Sequence, residues 1–232
     1  MIAPTLRIGV SIPPSGFDNH GDAASYLAGL ADSGLDHVFT ADHVAFFDGR
    51  GRDALVTVAW LAGLHPTIGV YVGVYLLALR HPVVVARQIS TLAEQAPGRL
   101  TFGVGVGGED RHEMEICGVD PARRGKQTDH CMKALDGLLT GQPFSYECEF
   151  FSFSEALIKP PPVPSIPMIV GGRSNAAIRR AALMGDGWLG VWCSPTRFGD
   201  VVSEINELAI DLSLIHISEP TRPRLISYAV FC

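Results

Sequence analysis

Short apolar strand patterns alternating with helix-period segments predict an α/β protein whose parallel sheet carries helices on its outside. Three observations support this: the unit repeats along residues 6–210, two of the strand patterns end in paired glycines (LTFGVGVGG at 100–108 and PMIVGGRS at 167–174), and the 232 residues are 47% apolar. A chain of that size and composition buries a substantial core. Units of this length suit either an open doubly wound sheet or a closed (β/α) barrel, and both bind ligands at the carboxyl ends of their strands.

Residues 6–12 (LRIGVSI) alternate like a strand and stop at Pro13-Pro14, and residues 22–33 show helical spacing up to Gly34. The alternation continues with strand 37–40, helix 54–64, strand 68–77, helix 83–96 and strand 100–106. A longer helix is expected over 121–140, where Pro121 suits a first turn and Gly141 a stop. Residues 144–153 read as a hairpin, and the prolines of KPPPVPSIP (159–167) make a rigid extended connector. Strand 168–170, helix 176–184, strand 187–192 and helix 195–210 complete about six strand-helix units.

The formal net charge of −6 argues against nucleic acid or an anionic membrane surface as partner, since an acidic chain without a basic stripe attracts neither. A small molecule is the expected ligand. Five cysteines with no CxxC pair indicate neither a disulfide framework nor a zinc knuckle, which fits a reducing cytoplasm. Nothing in the first residues reads as a targeting signal, and no apolar run approaches the roughly 20 residues of a membrane span.

Several residues could carry chemistry. Asp42-His43 ends the second strand; His43 is the candidate for proton transfer, because imidazole titrates in the useful range, while the alternative is a helix cap by Asp42 beside an exposed His43. Gly73-Val74 lies inside a β-branched strand, where glycine marks either a bulge, a close ligand approach or a crowded interior. Gly103, Gly105 and Gly108 satisfy G-x-G-x-x-G, but three strands precede them and Asp129, the acid at the right distance, falls inside a helix. Glu109 and Asp110 follow these glycines, where a diphosphate would be repelled. A carboxylate there reads as a proton donor or ring contact, or as ordinary first-turn acid.

Gly171-Gly172-Arg173-Ser174 is the stronger phosphate candidate, joining exposed backbone, a guanidinium and a hydroxyl at a helix start; its bland reading is a glycine turn with a Ser174 cap. His112, Glu113 and Glu115 lack HExxH spacing and are expected to face solvent without a metal. Cys131 is expected to be packed rather than reactive.

TADHV at 40–44, ALRHPVVVARQISTLAEQAPGRLTFGVGVGG at 78–108, the helix containing RRGKQTDHCMKALDGLL, and PMIVGGRSNAAIRRAALMGDGWL at 167–189 together resemble the bacterial luciferase-like superfamily, above all its deazaflavin (coenzyme F420) branch. The resemblance implies a luciferase-like (β/α)8 TIM barrel, here incomplete, that holds F420 or FMN at its carboxyl face, with F420 favoured. It also implies an oxidoreductase passing hydride between that cofactor and a small organic substrate. Asp42 and His43 would approach the ring, Gly73-Val74 would be a non-proline cis peptide supporting it, and Gly105, Val106, Gly107 and Gly108 would line the ring or its ribityl chain, with Glu109 as candidate proton donor. Gly171, Gly172, Arg173 and Ser174 would hold the phosphate. The alternatives are an FMN-dependent two-component monooxygenase served by a flavin reductase, a non-catalytic flavin-binding protein, and an inactive fragment. A homodimer is implied for the full-length protein. Residues 212–222 (LSLIHISEPTR) and 226–232 (ISYAVFC) resemble translated sequencing-library adapters in order, so residues 1–211 are expected to be the truncated barrel domain and 212–232 a non-native tail.

Overall fold

The computed structural model describes residues 7–213 and 226–230. Its main sheet has seven strands, all paired in parallel, in the order β1 (Gly9–Ser11), β2 (His37–Thr40), β5 (Gly69–Leu76), β6 (Leu100–Gly105), β9 (Met168–Gly171), β10 (Gly187–Val191) and β11 (Ile226–Val230). Among the described residues the sheet curves as part of a barrel and does not close, with β1 and β11 at its ends. Of the tail read as adapter-derived, 226–230 lie in β11 against β10, while 214–225 and 231–232 fall outside the described residues.

Helices α1 (His20–Asp32), α2 (Ala54–Leu64), α3 (Pro82–Gln95), α5 (Arg124–Leu138), α6 (Asn175–Met184) and α7 (Pro195–Ser213) connect the strands. Their starts are chemically marked. Asn19 accepts from Asp22 N, Asp53 from Val56 N and Ser174 from Ala177 N, each satisfying an amide the first turn leaves open. The expected helix 121–140 begins only at Arg124, because residues 120–123 form a separate turn in which Asp120 accepts from Ala122 N. Elements outside the sequence expectations include the hairpin β3 (His43–Phe46) with β4 (Arg50–Arg52), and the short helix α4 (Arg111–Ile116). The second hairpin, β7 (Phe144–Glu147) with β8 (Ser152–Ala156), lies where the sequence placed it.

Strand alternation sorts the side chains between two cores. Val38, Val70, Val72, Phe102, Val104 and Val170 face the helices and form the larger core. Tyr71, Ile169 and Leu189, with Phe39, Val74 and Val191 around them, form a second cluster inside the curve of the sheet. Between β5 and β6 the register slips: Val72 pairs with Phe102 and Tyr75 with Val104, so three steps on one strand match two on the other. That extra residue is a bulge, and the cis peptide Gly73-Val74 lies in it. Val74 thereby joins the inner cluster while Tyr75 returns to the helix side.

Candidate functional site

The strand ends open into one cavity of about 330 Å³, within the range of small-molecule sites. It forms where β2, β5, β6, β9 and β10 finish, so it occupies the carboxyl face of the partial barrel. Both glycine loops reach it: Gly105, Val106, Gly107, Gly108 and Glu109 from one, Gly171, Gly172 and Arg173 from the other. Asp42, His43, Gly73 and Val74 line it as well. Ser174 is the one predicted site residue outside the lining; its oxygen accepts from Ala177 N at 3.2 Å as the N-cap of α6.

The glycines have two different structural causes. A Cβ on Gly105 would stand 2.3 Å from Val74 Cγ2, and one on Gly171 would stand 2.7 Å from Val74 Cγ1. These positions are bare because the bulge turns the Val74 side chain into the space between them. Gly107, Gly108 and Gly172 instead adopt φ of +62°, +114° and +129°, backbone that side chains disfavour. Arg124 fastens the first loop, donating from Nε to Gly107 O at 3.2 Å and from Nη1 to Pro121 O.

Asp42 lines the cavity and is at the same time tied to the fold. Its side chain is buried, and its oxygens accept from Ala54 N and Leu76 N at 3.0 Å each and from both terminal nitrogens of Arg80. The carboxylate therefore ties the ends of β2 and β5 to the start of α2 at the cavity's edge. Arg80 also reaches Asp53 at 3.1 Å and lies over the Tyr75 ring. Burial alone would lower the guanidinium pKa, but Asp42 holds it above its ordinary value.

His43 keeps its imidazole at the cavity, half-buried, with the Phe46 ring centroid 4.0 Å from its own. Its Nδ1 lies 3.1 Å from Glu113 Oε2, and Glu113 Oε1 accepts from Val44 N at 2.6 Å and Ala45 N at 3.1 Å. Glu113 was expected in solvent and is 1% exposed, which corrects that reading. The physical reason is the unforeseen β3-β4 hairpin, whose first strand supplies two amides to a carboxylate on α4. One sequence signal marked the position: Asp110 and Glu113 have capping-box spacing.

Asp110, a third buried acid at the cavity, accepts from Phe47 N at 2.6 Å and His112 N at 2.9 Å. The Phe47 amide holds its carboxyl below the usual carboxylate range. Glu109 is exposed on the rim. Leu76, Leu189, Val191 and Trp192 complete the apolar walls, none of them singled out by sequence. Trp192, at φ +51°, is 63% exposed with Arg173 Cζ 5.6 Å from its ring centroid.

Comparison with known proteins accords with this architecture. An uncharacterised Mycobacterium tuberculosis protein is 32% identical over 70% of the chain and 56% of its own length. An F420-dependent glucose-6-phosphate dehydrogenase of Nakamurella multipartita is 27% identical over 82% of the chain and 57% of its own length. The chain thus spans a little over half the length of these curated relatives. Among solved structures, an F420-dependent secondary alcohol dehydrogenase in complex with an F420-acetone adduct superposes with a TM-score of 0.73 at 18% identity, over 89% of this chain and 65% of that one. The oxygenating constituent of 3,6-diketocamphane monooxygenase from Pseudomonas putida, in complex with FMN, gives 0.77 at 15% identity, over 97% and 66%. At those identities the likeness concerns the fold. The luciferase-like monooxygenase family profile matches residues 6–210, and the chain belongs to that family.

Proposed function

We propose that the protein is an oxidoreductase in which hydride passes between F420 or FMN and a small organic substrate, with His43 as the proton-handling residue. The observation that carries the reading is the convergence of His43 and both glycine loops on one cavity at the strand ends. The lining fits a flat ring with an anionic tail: Val74, Leu76, Leu189 and Val191 offer apolar contact, while Gly171, Gly172 and Arg173 offer backbone and a cation where α6 begins.

F420 would supply an obligate two-electron hydride donor or acceptor, whereas FMN reduced by a separate reductase would supply oxygen activation. His43 would hold or release the substrate's proton at its ring nitrogen, and Glu109 would assist from the rim. Ser174, whose oxygen accepts from Ala177 N, keeps its hydroxyl hydrogen for a phosphate oxygen. The F420-dependent relatives favour the deazaflavin. A cytoplasmic location and a homodimer in the full-length protein belong to the same proposal. Among the described residues no helix is long and apolar enough to cross a membrane, and Cys117, Cys131, Cys148 and Cys193 are free thiols.

The test is anaerobic mixing with reduced F420 or reduced FMN and a panel of carbonyl and enone substrates. Cofactor oxidation dependent on one of these substrates is the expected result. Tight binding with no anaerobic oxidation across the panel would contradict hydride transfer, and the further absence of any oxygenated product when oxygen is admitted with reduced FMN would favour a flavin-binding module.

A further inference from the structure

Glu113 is a buried carboxylate outside the residues assigned a role above, and its two oxygens face different partners. Oε1 accepts from two hairpin amides, Val44 N and Ala45 N, and Oε2 meets His43 Nδ1. A carboxylate accepts only, so the Nδ1 that meets it carries the proton. We infer that Glu113 is a positioning residue that fixes His43 as the Nδ1–H tautomer and leaves Nε2 as the acceptor nitrogen on the cavity side. Nε2 has no hydrogen-bond partner among the described residues. The usefulness of that acceptor rests on the role proposed for His43; its identity does not.

The two amides make the inference sharp. In Glu113→Gln the side-chain oxygen is held by Val44 N and Ala45 N, because the alternative would set amide hydrogens against amide hydrogens. The NH2 group then faces Nδ1 as a donor. His43 Nδ1 must accept, and the proton moves to Nε2. The substitution is nearly isosteric, so it reverses one tautomer with little disturbance of packing.

Long-range 15N–1H correlation spectra of the imidazoles, recorded on the whole chain without cofactor at about pH 9, where imidazole is neutral, read the tautomer directly. His43 resonances are assigned by their loss in His43→Ala. In the unmutated protein the expected pyridine-type nitrogen is Nε2; in Glu113→Gln it is expected to move to Nδ1. A pyridine-type Nδ1 in the unmutated protein overturns the inference, even if the glutamine variant does not fold. So does an unchanged tautomer in a folded Glu113→Gln. Turnover of His43→Ala with the cofactor separates the two readings: undiminished rate removes His43 from the chemistry and leaves the tautomer result standing.

Discussion

Asp42 and His43 are adjacent in sequence and do opposite jobs in space. Both line the cavity, but the Asp42 carboxylate is engaged by Arg80 and two amides, while His43 presents its ring from the start of β3. Removing the Asp42 charge leaves Arg80 with Asp53 as its remaining carboxylate. Asp42→Asn is therefore expected to destabilise the fold by about 1–3 kcal/mol, the loss of charge-assisted hydrogen bonds, read as a lower urea midpoint at unchanged slope. A change within about 0.5 kcal/mol would show the Arg80 pair to be dispensable. Cys131 makes a second residue-scale case. It is 0% exposed, and burial pushes its thiol up to about 12. Its pKa is raised on folding, so its contribution to stability is full below the unfolded value of about 8.5 and is lost as pH rises toward the folded value. Cys131→Ala is expected to flatten the fall in stability over that alkaline window, measured by denaturant titration at stepped pH. A parallel alkaline limb in both proteins would refute it. Iodoacetamide at neutral pH should likewise leave Cys131 unmodified while the chain is folded.

At the scale of elements, the β5 bulge and the glycines opposite it form one steric unit. Gly105→Ala would set a methyl 2.3 Å from Val74 Cγ2, an overlap that only movement relieves. The expected loss is about 1–3 kcal/mol, and combining it with Val74→Ala should recover part of that loss relative to the sum of the single effects. Strict additivity would mean that Val74 is not the neighbour that matters. This unit also shows what sequence patterns carry. Gly73 in a β-branched run, and paired glycines at two strand ends, were visible as close-approach positions. That Gly105 and Gly171 clear room for Val74 was not, because the clash joins residues on three strands and depends on the register slip. The β3-β4 hairpin was missed even though Asp48-Gly49 sits at its turn with Gly49 at φ +87°, since its ten residues lack the alternation that marks a longer strand. Missing it hid Glu113, whose burial depends on amides of that hairpin.

For the molecule as a whole, the alternating units, their order and the carboxyl-face location of the cavity were legible, because periodicity and helix caps are local signals. His20–Asp32, Ala54–Leu64 and Pro82–Gln95 lie within about two residues of their sequence expectations, and each starts at a capping side chain. The fate of Asp42 was not legible, since Arg80 lies 38 residues away and only the packed sheet joins them. The function of the whole molecule turns on the two loops ending β6 and β9 serving a single cofactor, a ring with a phosphorylated tail. Equilibrium titration of each cofactor against its dephosphorylated form, F420 against the bare deazaflavin and FMN against riboflavin, tests it most directly. One phosphorylated member is expected to bind about tenfold or more tighter than its dephosphorylated partner, the gain from charge-assisted bonds at residues 171–174. Equal affinity with and without the phosphate, or no binding of either pair, would contradict the claim.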